Sequence, residues 1–381
     1  MKEQLKRAPA ESNGRKIGVV IRAALAIVAL TGSIALALTL LGTFSAFAAG
    51  VKETPTQANP WGVALDKAGH IWVAEPGCDA EPNCLTTFPS YIGEYTRSSE
   101  ALVKNYLEPS GYSSPVFLAM AKSGGVWFTE PTTNAIGQLI PGSTPHWHQW
   151  TVPTANANPY DLLFDKNGNL WFTEYTGNKI GFFSPATKKF VETTIPTAIS
   201  HPYGITMDVA GNIWFAENNA MQIASFTPTT TGAVTIKEYA VAPMNNPHLI
   251  TSDAAGNIWY SEGFSGYIGE YIPQTGVHQN INVSVGLCPP PTPGVTPTPC
   301  PSTHISGIAV DSKGRIWFDD SLSARVGNYN PATGVTKTLT LMNTNAHPYN
   351  GLAVDAGNNT WFTEEYGGPT GSLGEIPAGT L

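Results

Sequence analysis

The sequence predicts an all-β fold, a seven-bladed β-propeller of four-stranded blades. Three observations predict it. A tryptophan followed three residues later by an acid recurs seven times, at Trp72/Glu75, Trp127/Glu130, Trp171/Glu174, Trp214/Glu217, Trp259/Glu262, Trp317/Asp320 and Trp361/Glu364. Successive tryptophans lie 55, 44, 43, 45, 58 and 44 residues apart, and a period near 44 built of short strands is the length of one propeller blade. Only 13% of residues are charged, while Gly (38) and Pro (31) are abundant, as in a turn-rich β fold.

One repeat is clearest from Asn158 to Glu174 and on through Asn178-Lys179-Ile180-Gly181. It reads strand, tight turn, strand, loop, strand. A weaker fourth strand follows in several units, for example over 235–241. The first turn is Asp-x-x-Gly or close to it in six units, at Asp66, Asp165, Asp208, Asp253, Asp311 and Asp355. Asp accepts backbone N–H bonds across such a turn and Gly takes positive φ, so these positions are hairpin chemistry. A calcium loop needs further oxygen ligands at alternate positions and a closing Glu, which no unit supplies. The last unit ends at Ile376 without a fourth strand, and residues 50–55 resemble the fourth strand at 236–241. The start of the exported chain is therefore expected to complete the last blade, which removes an exposed sheet edge.

Residues 1–49 precede the propeller. Six Lys or Arg fall within the first 22 residues, and 23–49 carry no charge. The basic start, apolar run and Ala46-Phe47-Ala48 ending fit a cleaved signal peptide. The same run is also long enough for an uncleaved membrane anchor. Both readings place the propeller, residues 50–381 with insertions at 76–90 and 286–302, outside the cytoplasm. Contact with membrane is expected only through an uncleaved anchor. Without the first 22 residues the net charge is −12, a sign that disfavours nucleic acid and anionic lipid. The four cysteines form two local pairs, Cys78 with Cys84 and Cys288 with Cys300, each inside an insertion, and read as disulfides of an oxidising compartment.

The loop before the first strand and the loop after the second strand of each blade share one face. The repeated acids lie there, as do the leading prolines with their neighbours: Pro60-Trp61, Pro159-Tyr160, His201-Pro202-Tyr203, Asn246-Pro247-His248 and His347-Pro348-Tyr349, with His304-Ile305-Ser306 in the sixth unit. His201, His248, His304 and His347 fall in units four to seven, so one side of this mouth is the richer in titratable groups and is the expected site. A residue present in every unit reads as scaffold: the acids as hydrogen-bond acceptors tying blades together, the tryptophans as packing. The expected partner is a small-molecule or peptide-like ligand on this face of a monomer.

The repeated Trp-Phe-Thr-Glu (Trp171 to Glu174, Trp361 to Glu364), Gly-Asn-Ile-Trp-Phe and Asn178-Lys179-Ile180-Gly181 resemble the virginiamycin B (streptogramin B) lyase family over almost all of 51–377. That resemblance implies opening of a cyclic depsipeptide ester by magnesium-assisted elimination: a histidine takes the proton α to a carbonyl and a carboxylate-held Mg2+ stabilises the developing charge. Carried over residue by residue, it implies His248 as the base and Glu262 as a metal ligand, with Asn246 and Tyr203 standing where the family has Glu and His. In a second register Asp320 is the metal acid, and His304 and Ser306 stand at the Glu and His places. The alternative is a binding propeller that captures a glycan, peptide or protein on Trp61, Tyr160, Tyr203 and Tyr349.

Overall fold

The computed structural model describes residues 50–381 apart from 78–87, 242–245, 289–299, 301, 342, 344–345 and 366–369. Seven four-stranded antiparallel sheets follow one another in a ring. Six are built from consecutive strands. The seventh pairs Lys52–Thr56 with Gly371–Ile376, Lys52 lying opposite Glu375 and Thr56 opposite Gly371. The expected closure is thus in place, and it is sealed by Val51, fully buried, and by the Lys52 ammonium 2.7 Å from Glu375 and 2.9 Å from Glu100. The N-terminal segment 1–49 and the Cys78/Cys84 pair lie outside the described residues. Cys288 and Cys300 are joined by a disulfide. Among the described residues no helix is long and apolar enough to cross a membrane.

Each conserved feature of the repeat has one physical task. The seven repeat tryptophans are at most 3% exposed and reach the next blade, as Trp127 does to Phe164 and Trp214 to Tyr271. Each such ring contributes about 1.5–3 kcal/mol of burial. Its indole N–H is held from the turn behind it: Asp66, Asp165, Asp208, Asp253, Asp311 and Asp355 accept from the Nε1 of their own tryptophan at 2.9–3.3 Å. Their other oxygen accepts backbone N–H groups across the turn, as in Asp165 with Asn167 and Asn169. The carboxylates are therefore fully employed as hairpin chemistry.

In four blades the residue before the acid makes the tie between blades. The hydroxyls of Thr129, Thr173, Ser261 and Thr363 donate to the carbonyls of Tyr160, Tyr203, Ser306 and Trp61 in the following blade, at 2.5–2.7 Å. The acids do something different from the expected inter-blade tie. Glu75, Glu130 and Asp320 accept the N–H of Gln57, Ser113 and His304, each in the leading loop of the same blade. Finally, the first strand slips register just after its leading residue in four blades, between Pro159/Leu162, Pro202/Ile205, Ile305/Ile308 and Pro348/Leu352. Such irregularities re-aim side chains, here at the inner end of the ring where the site lies.

Candidate functional site

The carbonyl ties and slipped strands bring the residue after each leading proline to a shared mouth, where a pocket of about 460 Å³ opens. Its floor is a set of rings from four blades. The hydroxyls of Tyr160 and Tyr203 are 2.8 Å apart, and Asn350 Nδ2 donates to Tyr203 from across the ring at 3.2 Å. Trp61 meets Tyr160 and Tyr349 edge-on, at 6.1 and 5.6 Å. The histidines form one wall. His248 stands edge-on to Tyr203 (5.0 Å) and to His304 (5.1 Å), and His304 stacks on Tyr349 (5.4 Å) and meets Phe264 at a tilt (4.3 Å). His347 lies on Tyr349 at 6.0 Å.

Local backbone makes room for His248. Gly263 has φ +48°, and a Cβ there would lie 2.6 Å from His248 Cε1. Gly204, whose N–H donates to the His248 carbonyl at 3.0 Å, admits no Cβ either, because one would sit 2.7 Å from Leu249 Cα.

Burial sets the electrostatics. Removal from water pushes His248 down to about 3; its neighbour His304 adds to this, and the Asn246 carbonyl opposes it. Burial likewise lowers His304 to about 4, with His347 adding and Asp320 opposing, and burial lowers His347. All three imidazoles are therefore neutral at pH 7. Burial raises the Tyr349 hydroxyl to about 12 and holds the Tyr203 hydroxyl well above its usual range. Two polar atoms of residues that line the pocket are buried without a hydrogen-bond partner in the protein: Trp61 Nε1 and Asn158 Oδ1. Buried polar groups are almost always satisfied, so these two atoms set the pocket apart from the rest of the interior.

Of the residues singled out from sequence, His248, His304, His347, Tyr203 and Tyr349 line this pocket. His201 stacks on Tyr175 at 4.6 Å and stands at the margin. Asn246 is exposed and does not line it. Glu262 and Asp320 are buried, at 1% and 0% exposure, behind the wall. Tyr175, Asn218, Phe264, Ser321, Leu322 and Glu365 line the pocket unanticipated. Four of them, Tyr175, Asn218, Ser321 and Glu365, directly follow a repeated acid. Since alternate residues of a strand point to opposite sides, the repeated acid turns into the protein and its variable successor faces the ligand.

The donor set does not fit Mg2+, which takes several converging oxygens. Both Asp320 oxygens are engaged, one by the His304 N–H at 2.9 Å and the other by the Arg325 guanidinium at 2.9 Å. Glu262 accepts only from Ser265, at 3.4 Å, and burial pushes its carboxyl up to about 8, so near neutrality it holds its proton. Among the described residues no group of three or more His, Cys, Asp or Glu is placed to hold a metal.

A larger cavity, about 660 Å³, lies at the opposite end between blades 4 and 5, lined by Trp214, Tyr239 and Tyr271. Its polar groups answer one another: Asp208 holds Trp214 and Asn212, Asn212 accepts from Thr227, and Tyr239 pairs with Ser225. We assign the site to the smaller, unsatisfied pocket.

Comparison with solved structures matches this architecture. Virginiamycin B lyase from Staphylococcus aureus superposes with a TM-score of 0.69 at 22% identity, covering 86% of this chain and 99% of that one. A catalytically inactive histidine-to-alanine variant of that enzyme, solved with quinupristin, aligns equally well. A streptogramin B lyase aligns with a TM-score of 0.69 at 23% identity over 85% of this chain and 96% of its own. At these identities the likeness shows the fold. No curated protein sequence matches the chain. The model of the virginiamycin B lyase family matches residues 89–290, just over half the chain, a span that includes His248 and Glu262 and stops before His304. The chain belongs to the virginiamycin B lyase family.

Proposed function

We propose that the protein is an extracytoplasmic propeller that captures a peptide-like ligand in the Tyr/His pocket. The observation that carries this is the aromatic pocket itself, walled by Trp61, Tyr160, Tyr203, Tyr349, His248 and His304, with two buried and unpartnered atoms, Trp61 Nε1 and Asn158 Oδ1, on residues that line it. An indole N–H needs an acceptor and an amide oxygen needs a donor. A peptide group supplies both on one planar unit, and its flat faces suit the rings of Tyr203 and Tyr349. Neutral histidines add donors and acceptors without demanding a charged ligand.

Calorimetric titration with quinupristin, the cyclic depsipeptide bound by the staphylococcal relative, tests this. Trp61→Phe, which keeps the ring and removes the N–H, is expected to weaken binding about fivefold to tenfold, the worth of one buried hydrogen bond. Equal affinity in wild type and Trp61→Phe would remove the pocket from the account.

A second reading, elimination at an ester, is favoured by one observation: His248 is neutral and occupies the place where the family resemblance puts the base. In that step the imidazole takes the proton α to the carbonyl, a C=C bond forms, and the C–O bond breaks with its electron pair leaving on the carboxylate; no water is consumed. Capture is preferred because an imidazole held near 3 is a weak proton acceptor at neutral pH. Mass spectrometry separates the readings. A ring-opened product of unchanged mass, absent with His248→Ala, supports elimination, and intact ligand supports capture.

A further inference from the structure

We infer that Asp319, a residue outside the pocket, positions its floor: through Ser306 and Asn350 it anchors the Tyr203 and Tyr160 hydroxyls against which a ligand rests. This deepens the capture reading and rests on it. Asp319 is fully buried and does not line the pocket. From it a chain of hydrogen bonds runs to the floor. Ser306 Oγ donates to Asp319 Oδ1 at 2.8 Å and accepts the Asn350 backbone N–H at 3.3 Å. Asn350 Nδ2 in turn donates to the Tyr203 hydroxyl at 3.2 Å, and that hydroxyl meets Tyr160 at 2.8 Å.

The other blades show why an acid stands here. At six of the seven blade boundaries the inner-strand tie has one polarity: the earlier blade donates, and the next accepts on a carbonyl. Thr129, Thr173, Ser261 and Thr363 donate through their hydroxyls. Where Ala74 and Ala216 hold the same position, the Gly62 and Gly204 N–H groups donate instead, to the Val116 and His248 carbonyls at 2.9 and 3.0 Å. Between blades 6 and 7 the polarity is reversed, with the Asn350 N–H of blade 7 donating to Ser306 of blade 6. The reversal has a local cause. The first strand of blade 7 takes one residue more to regain register, Pro348 to Leu352 against Pro159 to Leu162 and Pro202 to Ile205. Within that extra length Asn350 takes φ +62°, in the left-handed region.

A hydroxyl in place of Asp319 has the wrong polarity for this boundary. In the other blades the hydroxyl gives its hydrogen to a carbonyl. Here Ser306 offers a hydrogen and the Gly307 N–H offers a second, at 2.7 Å from the same Asp319 oxygen. A carboxyl oxygen has two lone pairs and takes both. Room for the side chain comes from Gly307, where a Cβ would collide with Asp319 Oδ2. One inserted residue, one glycine and one acid together bring the Asn350 amide to Tyr203 from across the ring.

The test is calorimetry with quinupristin on Asp319→Thr, which installs the side chain of three other blades, and on Asp319→Asn, which keeps the accepting oxygen. Asp319→Thr is expected to weaken binding about tenfold and Asp319→Asn about twofold or less, while both unfold at a lower temperature because each mismatches a buried group. On an Asn350→Ala background, where the chain is already cut, Asp319→Thr should weaken binding no further. Hydrogen exchange over 347–352 reads the tie without ligand and should be faster in Asp319→Thr than in Asp319→Asn. If Asp319→Thr does not fold, Ser306→Ala replaces it in each comparison and cuts the same chain one bond further on. Equal losses of affinity in the two Asp319 variants, or a full further loss on the Asn350→Ala background, would overturn the positioning role and leave capture by wild type standing. Absence of binding by wild type would overturn capture and this role with it.

Discussion

On the face that carries the hairpin turns, six aspartates perform the same task in six blades; on the opposite face the blades diverge, with Tyr160, Tyr203 and Tyr349 from three of them, His248 and His304 from two and Trp61 from one. The turn face is closed chemistry. Every oxygen of Asp165, Asp311 and Asp355 has partners. Blade 2, which lacks the aspartate, covers its indole another way: Trp127 stacks on Trp150 at 5.1 Å, with the Lys188 ammonium 4.6 Å above the Trp150 ring. The mouth face is open chemistry. Glu174 and Glu217 are buried carboxyls without a close, well-aligned donor, and Trp61 and Asn158 hold unpartnered atoms. Repetition with satisfied bonds builds the ring, and departure from the repeat with unsatisfied bonds builds the pocket.

Breaking the ring itself should have the largest effect. Deleting residues 50–56 removes the outer strand of the closing blade and the Lys52 pairs, and we expect a loss on the order of 5 kcal/mol from the ladder bonds alone, or roughly 10 °C or more in calorimetry. An unchanged midpoint would mean the ring closes without this strand.

Breaking one turn should cost less, and equally in each blade. Asp208→Ala leaves the Trp214 Nε1–H and the Asn212 N–H and side-chain amide without their acceptor, and we expect a loss of about 2–4 kcal/mol in urea unfolding. Asp355→Ala should match it. A strong inequality would break the equivalence of the turns.

The mouth-face acids should respond in the opposite sense. Burial raises Glu75 and Glu130 to about 7, and burial together with Glu192 or Glu238 raises Glu174 and Glu217 to about 8. These groups bind more protons folded than unfolded between 4.5 and 8, so their contribution to stability is present at low pH and is lost as pH rises through the folded value. The lowered histidines act the other way below 6.5, with stability lost as pH falls. From pH 6.5 to 8 the acids act alone and the unfolding midpoint should fall. Glu217→Gln should flatten that fall and stabilise by about 1–2 kcal/mol at pH 8. A midpoint that rises with pH over this window would contradict the burial of these carboxyls.

The smallest effect on stability, and the sharpest on the pocket, is expected from Gly263→Ala. The new Cβ meets the His248 ring at 2.6 Å, and φ of +48° disfavours it. We expect about 1–2 kcal/mol of strain with at least a tenfold loss of ligand affinity by calorimetry.

The ring was legible in the sequence because its parts repeat: Trp, the turn Asp and the closing strand at 50–55 each announce themselves seven or six times, or by likeness to an inner copy. The pocket was half legible. The residues after leading prolines could be found because Pro marks their place, which brought out His248, Tyr203 and Tyr349. Tyr175, Asn218 and Glu365 were missed because attention fell on the repeated acid, and strand alternation turns the acid inward and its successor outward; Phe264 and Leu322, two residues past the acid, lie in turns that the repeat does not mark. Glu262 and Asp320 stood as metal ligands through the family resemblance, which does not show Arg325 reaching Asp320 or the burial that keeps the proton on Glu262. The task of the Thr in Trp-Phe-Thr-Glu, donating its hydroxyl to a carbonyl of the next blade, depends on a partner about 30 residues later in the chain and has no local signal at all.

Hydrogen–deuterium exchange with and without quinupristin tests the contrast between the two faces most directly. The account predicts that protection gathers on the leading loops and on the segments after the repeated acids, around 158–161, 201–204, 246–249, 262–267, 304–307 and 347–350, with the hairpin turns unchanged. Protection centred on 225–239 and Tyr271, the cavity between blades 4 and 5, with none around His248, would contradict it.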